Sequence, residues 1–272
     1  MGAIRRWSVL VSWASLVLVT ATGATAQAQG ATPAASPASG ILAQATVDAL
    51  PGGDAEVWLG RLEIDPGGIV PDRLQTGPVL LYVESGLVSV TSDVPLEGMV
   101  GGERIADMQP DYTCPCQQLH GESAGWSGSL SVATGQSTLV PANATQGLAN
   151  NGTVPASVLV LAVGAALPID GQEGVSVETL ATTGDVALTG GAFTLTIERA
   201  TIAGGESVEQ VRTSVVELGA VESGAVEAEV GAGDVQAYDA GDSYIFAGGN
   251  VTWTAGDDPV TILSAVISPA PA

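Results

Sequence analysis

Apolar and polar residues alternate in short runs along most of this chain, and the runs stop at glycines. Trp58 to Ile64 reads Trp-Leu-Gly-Arg-Leu-Glu-Ile and is followed by Gly67-Gly68. Phe193 to Ile202 reads Phe-Thr-Leu-Thr-Ile-Glu-Arg-Ala-Thr-Ile and is followed by Gly204-Gly205. A period of two bounded by turn residues predicts half-buried strands, not helices. Ser157 to Leu167 is a strongly apolar, Val/Leu-rich run, shorter than the ~20 residues of a membrane span, so it predicts a buried strand.

The runs recur in the same order. Val79–Val83 corresponds to Val215–Val221, Glu84-Ser85-Gly86 to Glu222-Ser223-Gly224, and Leu87–Val90 to Ala225–Val230. Gly135–Pro141 then corresponds to Gly241–Ala247, and the closing strands are Val158–Val163 and Val260–Ile267. A duplicated all-β unit of roughly 100 residues is the simplest explanation. Expected units are residues 51–168 and 175–268. Gly86 and Gly135 are far apart where Gly224 and Gly241 are close, so the first unit carries an insertion at about residues 93–130.

The N-terminus changes the picture. Arg5-Arg6, an apolar stretch from Trp7 to Val19, and Ala24-Thr25-Ala26 read as an export signal over residues 1–26. An uncleaved signal anchor is the alternative. Residues 27–50 begin Ala/Pro/Ser/Thr/Gly-rich and without periodicity, which predicts a flexible tether. The expected location is outside the cell, secreted or attached to its surface.

Hydrophobic residues make up 46% of the chain but aromatics only 4%, and lysine is absent. The formal charge is −22, and becomes −24 if a leader carrying Arg5 and Arg6 is removed. Such a surface repels phosphate backbones and anionic lipids, which argues against nucleic-acid binding. The expected partner is a small molecule of unknown identity; a homo-oligomer stays open.

The spacings resemble the cupin superfamily, small barrels of the double-stranded β-helix or jelly-roll type. The resemblance covers most of residues 55–268 and implies two tandem cupin-type barrels. The first family motif runs glycine, His-x-His, Glu, glycine. Between Gly68 and Gly86 its histidine positions fall on Arg73 and Gln75, or on Leu74 and Thr76, and its glutamate on Val79 or Leu80. The second motif fits Gly135, Pro141, Asn143, Gln146 and Asn150, with Gln146 at the histidine position. In the second half Gly241, Ala247, Gly249, Thr252 and Gly256 fit it, with Thr252 there, and Glu209–Thr213 again holds no histidine. A transition metal needs three or four imidazole or carboxylate ligands converging on one point. The expectation is therefore no cofactor, with Arg73, Gln75 and Gln146 lining a pocket for a polar or anionic ligand.

The insertion holds Cys114-Pro115-Cys116 and the only histidine, His120. Three readings stay open: a Cys114–Cys116 disulfide favoured by export, a metal site from Cys114, Cys116 and His120, or an esterase elbow at Gly121-Glu-Ser-Ala-Gly125. The elbow lacks a downstream histidine. Asn143, Asn151 and Asn250 open formal glycosylation triplets. The function expected is a metal-free binding or scaffold module without catalysis. The alternative is an enzyme using Cys114, Cys116 and His120, with a thiol or a divalent transition metal.

Overall fold

The computed structural model describes residues 40–48, 50, 53–105, 128–164, 172–188, 191–231, 233 and 235–271. Every regular element among them is a β-strand. The first barrel is a sandwich of two sheets. One contains β3 (Val57–Ile64), β5 (Val79–Ser85), β7 (Gly98–Val100), β8 (Glu103–Arg104), β10 (Ser137–Val140), β12 (Ala156–Val163) and β13 (Val175–Thr182), in the order β13-β3-β12-β5-β10-β7-β8. The other contains β4 (Ile69–Leu74), β6 (Leu87–Ser92), β9 (Gly128–Ala133) and β11 (Thr145–Ala149), in the order β4-β11-β6-β9.

The second barrel repeats the plan. Its larger sheet contains β1 (Gly40–Val47), β15 (Phe193–Ile202), β17 (Val216–Ser223), β20 (Ser243–Phe246) and β22 (Val260–Pro269), in the order β1-β15-β22-β17-β20. Its smaller sheet contains β16 (Ser207–Arg212), β18 (Ala225–Val230), β19 (Val235–Asp239) and β21 (Gly249–Ala255), in the order β16-β21-β18-β19.

Alternation along the central strands explains three separate cores. On β3, Trp58, Leu62 and Ile64 point into the first barrel, while Val57 and Leu59 point out of it toward the second. On β15, Ile202 lies in the second barrel's core, while Phe193, Leu195 and Ile197 face the first. The two larger sheets thus pack face to face, and Leu80, Leu159, Leu161, Leu218, Leu263 and Ile267 fill the seam. A strand covered on both sides has no polar face to keep, so all eight residues of β12 are buried. At ~1.5–3 kcal/mol per fully buried large aliphatic side chain, this seam is a major source of stability.

Two expectations are corrected here. Gly40–Val47 was expected in the tether of residues 27–50, yet it is strand β1, paired antiparallel with β15 from Gly40↔Arg199 to Val47↔Phe193. Val175–Thr182 was expected in the second unit, yet β13 pairs with β3 of the first, from Val175↔Ile64 to Thr182↔Trp58. Each half lends its first strand to the other half's sheet. A short ladder of β2 (Gly53–Ala55) with β14 (Val186–Leu188) adds a third link between the halves.

The Glu-Ser-Gly repeats mark matched turns. Gly86 and Gly224 have φ of 83° and 79°. A Cβ there would come within 2.9 Å of the Pro155 carbonyl and 2.5 Å of the Pro259 carbonyl. Both conformation and space therefore require glycine.

Candidate functional site

Arg73 and Gln75 leave the end of β4, and Gln146 sits opposite Arg73 on β11. Gln75 is held in its turn by backbone bonds: its N–H donates to the Ala144 carbonyl at 2.9 Å, and its carbonyl accepts from Asn143 N–H at 2.8 Å. All three expected ligand-binding side chains line one cavity in the first barrel, with Leu62, Val70, Leu81, Leu148 and Val160. The cavity volume is about 10 Å³, about the space of a single water molecule. Gln75 is 5% exposed and Gln146 4%. Gln146 Oε1 is buried and finds no hydrogen-bond partner among the described residues.

A guanidinium and two neutral amides do not fit a divalent transition metal, which takes imidazole, thiolate or carboxylate. Among the described residues no three His, Cys, Asp or Glu side chains cluster to hold an ion. Cys114, Cys116, His120 and the serine motif at 121–125 lie outside the described residues.

Strand register locates the matching place in the second barrel. Leu148 pairs with Val90 and Trp253 with Ala228, so Trp253 takes the position of Leu148 and Val251 that of Gln146. This corrects the sequence alignment, which put Thr252 at that position; Thr252 instead shares its strand face with Thr254, beside Glu209 and Glu229. Gln210 takes the place of Arg73, and Ser264 that of Val160.

The second interior is aromatic. The Tyr244 and Trp253 rings meet edge-on at 4.9 Å between centroids, Phe246 and Trp253 at 5.6 Å, and Tyr238 and Tyr244 at 6.0 Å. Trp253 Nε1 donates to Gln210 Oε1 at 3.1 Å, and Tyr244 shares a hydrogen bond with Ser264 Oγ at 2.5 Å. Tyr244 crosses β17 at Gly219, where a Cβ would lie 2.5 Å from the Tyr244 hydroxyl. A cavity of about 90 Å³ remains between Thr201, Val208, Gln210, Trp253, Ile262 and Ser264. Sequence reasoning missed Glu217, which is 1% exposed on β17. Strand alternation puts it on the inward face with Val221, and the repeat makes it the counterpart of Val79 in the first barrel.

A cluster of charged side chains lies at the end of the seam between the barrels. Arg61 Nε reaches Glu84 at 2.7 Å and its Nη2 reaches Glu222 at 2.6 Å. Arg199 Nε reaches Glu222 at 2.6 Å and its Nη2 reaches Glu84 at 2.5 Å. Each arginine therefore bridges its own barrel's glutamate and the other's. Glu178 and Ser157 add bonds to Arg61 and Glu84. Burial by itself would weaken both charges of such a pair, pushing Glu84 up and the arginines down. Hydrogen bonds and opposite charge outweigh burial, so the Glu84 carboxyl is held below its ordinary range and both guanidinium groups above theirs.

Two jelly-roll sandwiches from an internal repeat, exchanging their first strands across one seam, define a bicupin-type fold. No family model and no curated protein matches the chain. Solved structures do. Bacillus subtilis oxalate decarboxylase is 14% identical, with 87% of this chain and 79% of that chain covered at a TM-score of 0.49. YhaK from Escherichia coli is 14% identical, with 85% and 95% covered at 0.45. AerE from Microcystis aeruginosa is 14% identical, with 83% and 97% covered at 0.40.

Proposed function

We propose that the chain is an exported, metal-free cupin-fold scaffold whose barrels present their outer surfaces, not a catalytic interior. The observation that carries this reading is the filled first barrel, with room for about one water where small-molecule clefts commonly have ~300–1,000 Å³. The amide and guanidinium groups at the barrel's expected ligand positions support the metal-free reading. The leader-like N-terminus supports export to the cell surface or medium, and the acidic charge supports solubility there without nucleic-acid partners. A surface groove of about 420 Å³, where β1 passes β7 and β10, is lined in part by the exposed Glu97–Arg104 ion pair.

Elemental analysis of protein purified without chelator tests this reading. Less than a tenth of an equivalent of Mn, Fe, Zn or Cu is expected, with no change in melting temperature on adding chelator. One equivalent of metal removed by Cys114→Ser or Cys116→Ser overturns it in favour of the alternative enzyme. A second reading is favoured by the second barrel's cavity of about 90 Å³. Its Gln210 and Ser264 suit a small neutral ligand with a hydroxyl or amide. Saturable binding of a small alcohol or amide, lost in Ser264→Val, distinguishes it.

A further inference from the structure

The two barrels end their larger sheets differently. In the first, β10 is flanked by β5 on one side and by β7 on the other, with Ser137↔Met99 and Thr138↔Gly98. Side chains strengthen that outer contact: Thr138 Oγ1 donates to the Glu97 carbonyl at 2.9 Å. Met99 and Leu139 pack on the seam between the barrels. In the second barrel, β20 takes the place of β10, pairing with β17 from Glu217↔Phe246 to Ala220↔Ser243. Among the described residues it is the last strand of its sheet.

The ladder register says which groups are open. Val221 N–H donates to the Asp242 carbonyl at 2.9 Å, as Val83 N–H does to the Gln136 carbonyl at 3.0 Å. Antiparallel pairing alternates from there, so Tyr244 and Phe246 bond inward to β17 while Ser243 and Ile245 turn N–H and C=O outward. Ser243 matches Ser137, whose outer side is taken by Met99. Ile245 matches Leu139 but is 50% exposed. An open edge with an exposed apolar side chain is a template for another strand.

We infer that the β20 edge receives an extended, basic-apolar segment of a partner protein, added antiparallel as β7 is added to β10. The molecule's own β7 supplies the geometry: a small residue, then an apolar side chain over the strand's outer residue. Charge chooses the partner. Asp239 and Asp242 are exposed beside the edge. From residue 183 onward the sequence has only two basic residues, Arg199 and Arg212, and Arg199 is held by two glutamates. A second copy of a chain carrying −22 would meet like charge. This inference rests on reading the chain as a scaffold. Bound metal or interior ligand would defeat that reading, whereas lack of peptide binding would defeat this one.

The probe is a synthetic ten-residue peptide copying Val94–Glu103 with Glu97 and Glu103 replaced by lysine, titrated into the full chain and followed by calorimetry and amide NMR. Saturable binding is expected, with amide shifts at Ser243 and Ile245, weakening as salt rises. Ile245→Pro removes only an outward N–H, so it should keep the near-UV signal of Trp253 and Tyr244 and lose binding by at least about tenfold. If that variant unfolds, Ile245→Lys gives the same reading by repelling the basic probe. Absence of saturable binding overturns the inference. So does equal binding of the peptide with its native glutamates. Concentration-dependent dimers in sedimentation that Ile245→Pro abolishes also overturn it, assigning the edge to a second copy.

Discussion

The two barrels share strand order, register and turn glycines, yet they fill themselves differently. The first packs Leu62, Leu81, Val90, Leu148 and Val160 around Gln75 and Gln146, leaving space for about one water. The second packs Trp253, Tyr244 and Phe246 and leaves about 90 Å³. Aliphatic side chains interdigitate closely, whereas rigid rings meet at fixed angles and leave gaps beside them. The fold is thus maintained by its glycine turns and strand alternation, and its interior chemistry varies independently.

The largest expected difference between the halves comes from their central side chains. Trp253→Ala removes the ring that touches Tyr244, Phe246 and Tyr238 and should cost about 4 kcal/mol in urea unfolding. Leu148→Ala, at the matching place, should cost about 3 kcal/mol. Equal losses would mean that the cores are energetically alike despite their composition.

Next is the four-residue charge cluster that joins the halves. Glu84→Gln leaves Glu222 as the one buried carboxylate shared by Arg61 and Arg199, with the exposed Glu178 still at Arg61, and should cost roughly 2 kcal/mol. Replacing Arg61, Glu84, Arg199 and Glu222 together with Met, Leu, Met and Leu should cost less than that single change, because no buried charge is left unmatched. A quadruple variant less stable than Glu84→Gln would show that the cluster adds net stability rather than orientation.

A smaller effect is set by pH. The folded carboxyl of Glu84 titrates below its unfolded value, so its contribution is fully present above about pH 4.3 and lost as pH falls through the folded value. Urea midpoints measured from pH 6 to pH 3 should fall more steeply for the native chain than for Glu84→Gln. Parallel curves would remove Glu84 from the acid response.

The smallest effect is expected at Gln146. Gln146→Leu replaces a buried amide whose Oε1 has no partner among the described residues, so the melting temperature should stay level or rise by a few degrees. A drop of more than about 1 kcal/mol would point to a bridging water or ligand held by that oxygen.

Much of the candidate site was legible because its residues sit at fixed distances from turn glycines. Arg73, Gln75 and Gln146 follow from Gly68 and Gly135, and the structure brings them to one cavity. The second barrel's counterpart was not. Counting from Gly241 gave Thr252, whereas the ladder with β18 puts Val251 there. Loop length between glycine and strand shifts such a count by one, and in a strand one residue changes the face. Glu217 was hidden in a run of Val, Leu and Ala, where only alternation relative to Val221 marks it as inward.

By itself the sequence determined the all-β class, the duplicated unit and the residue types Arg73, Gln75 and Gln146 at the first barrel's motif positions. Each of these is local: alternation reports burial, glycine reports turns, and residue type reports ligand chemistry. Tertiary structure alone decided that β1 and β13 exchange barrels, that Glu84 and Glu222 clamp both arginines, and that β20 is the last strand of its sheet among the described residues. These depend on which strands lie side by side across more than a hundred residues. Backbone pairing groups are the same in every strand, so no short stretch of sequence names its partner.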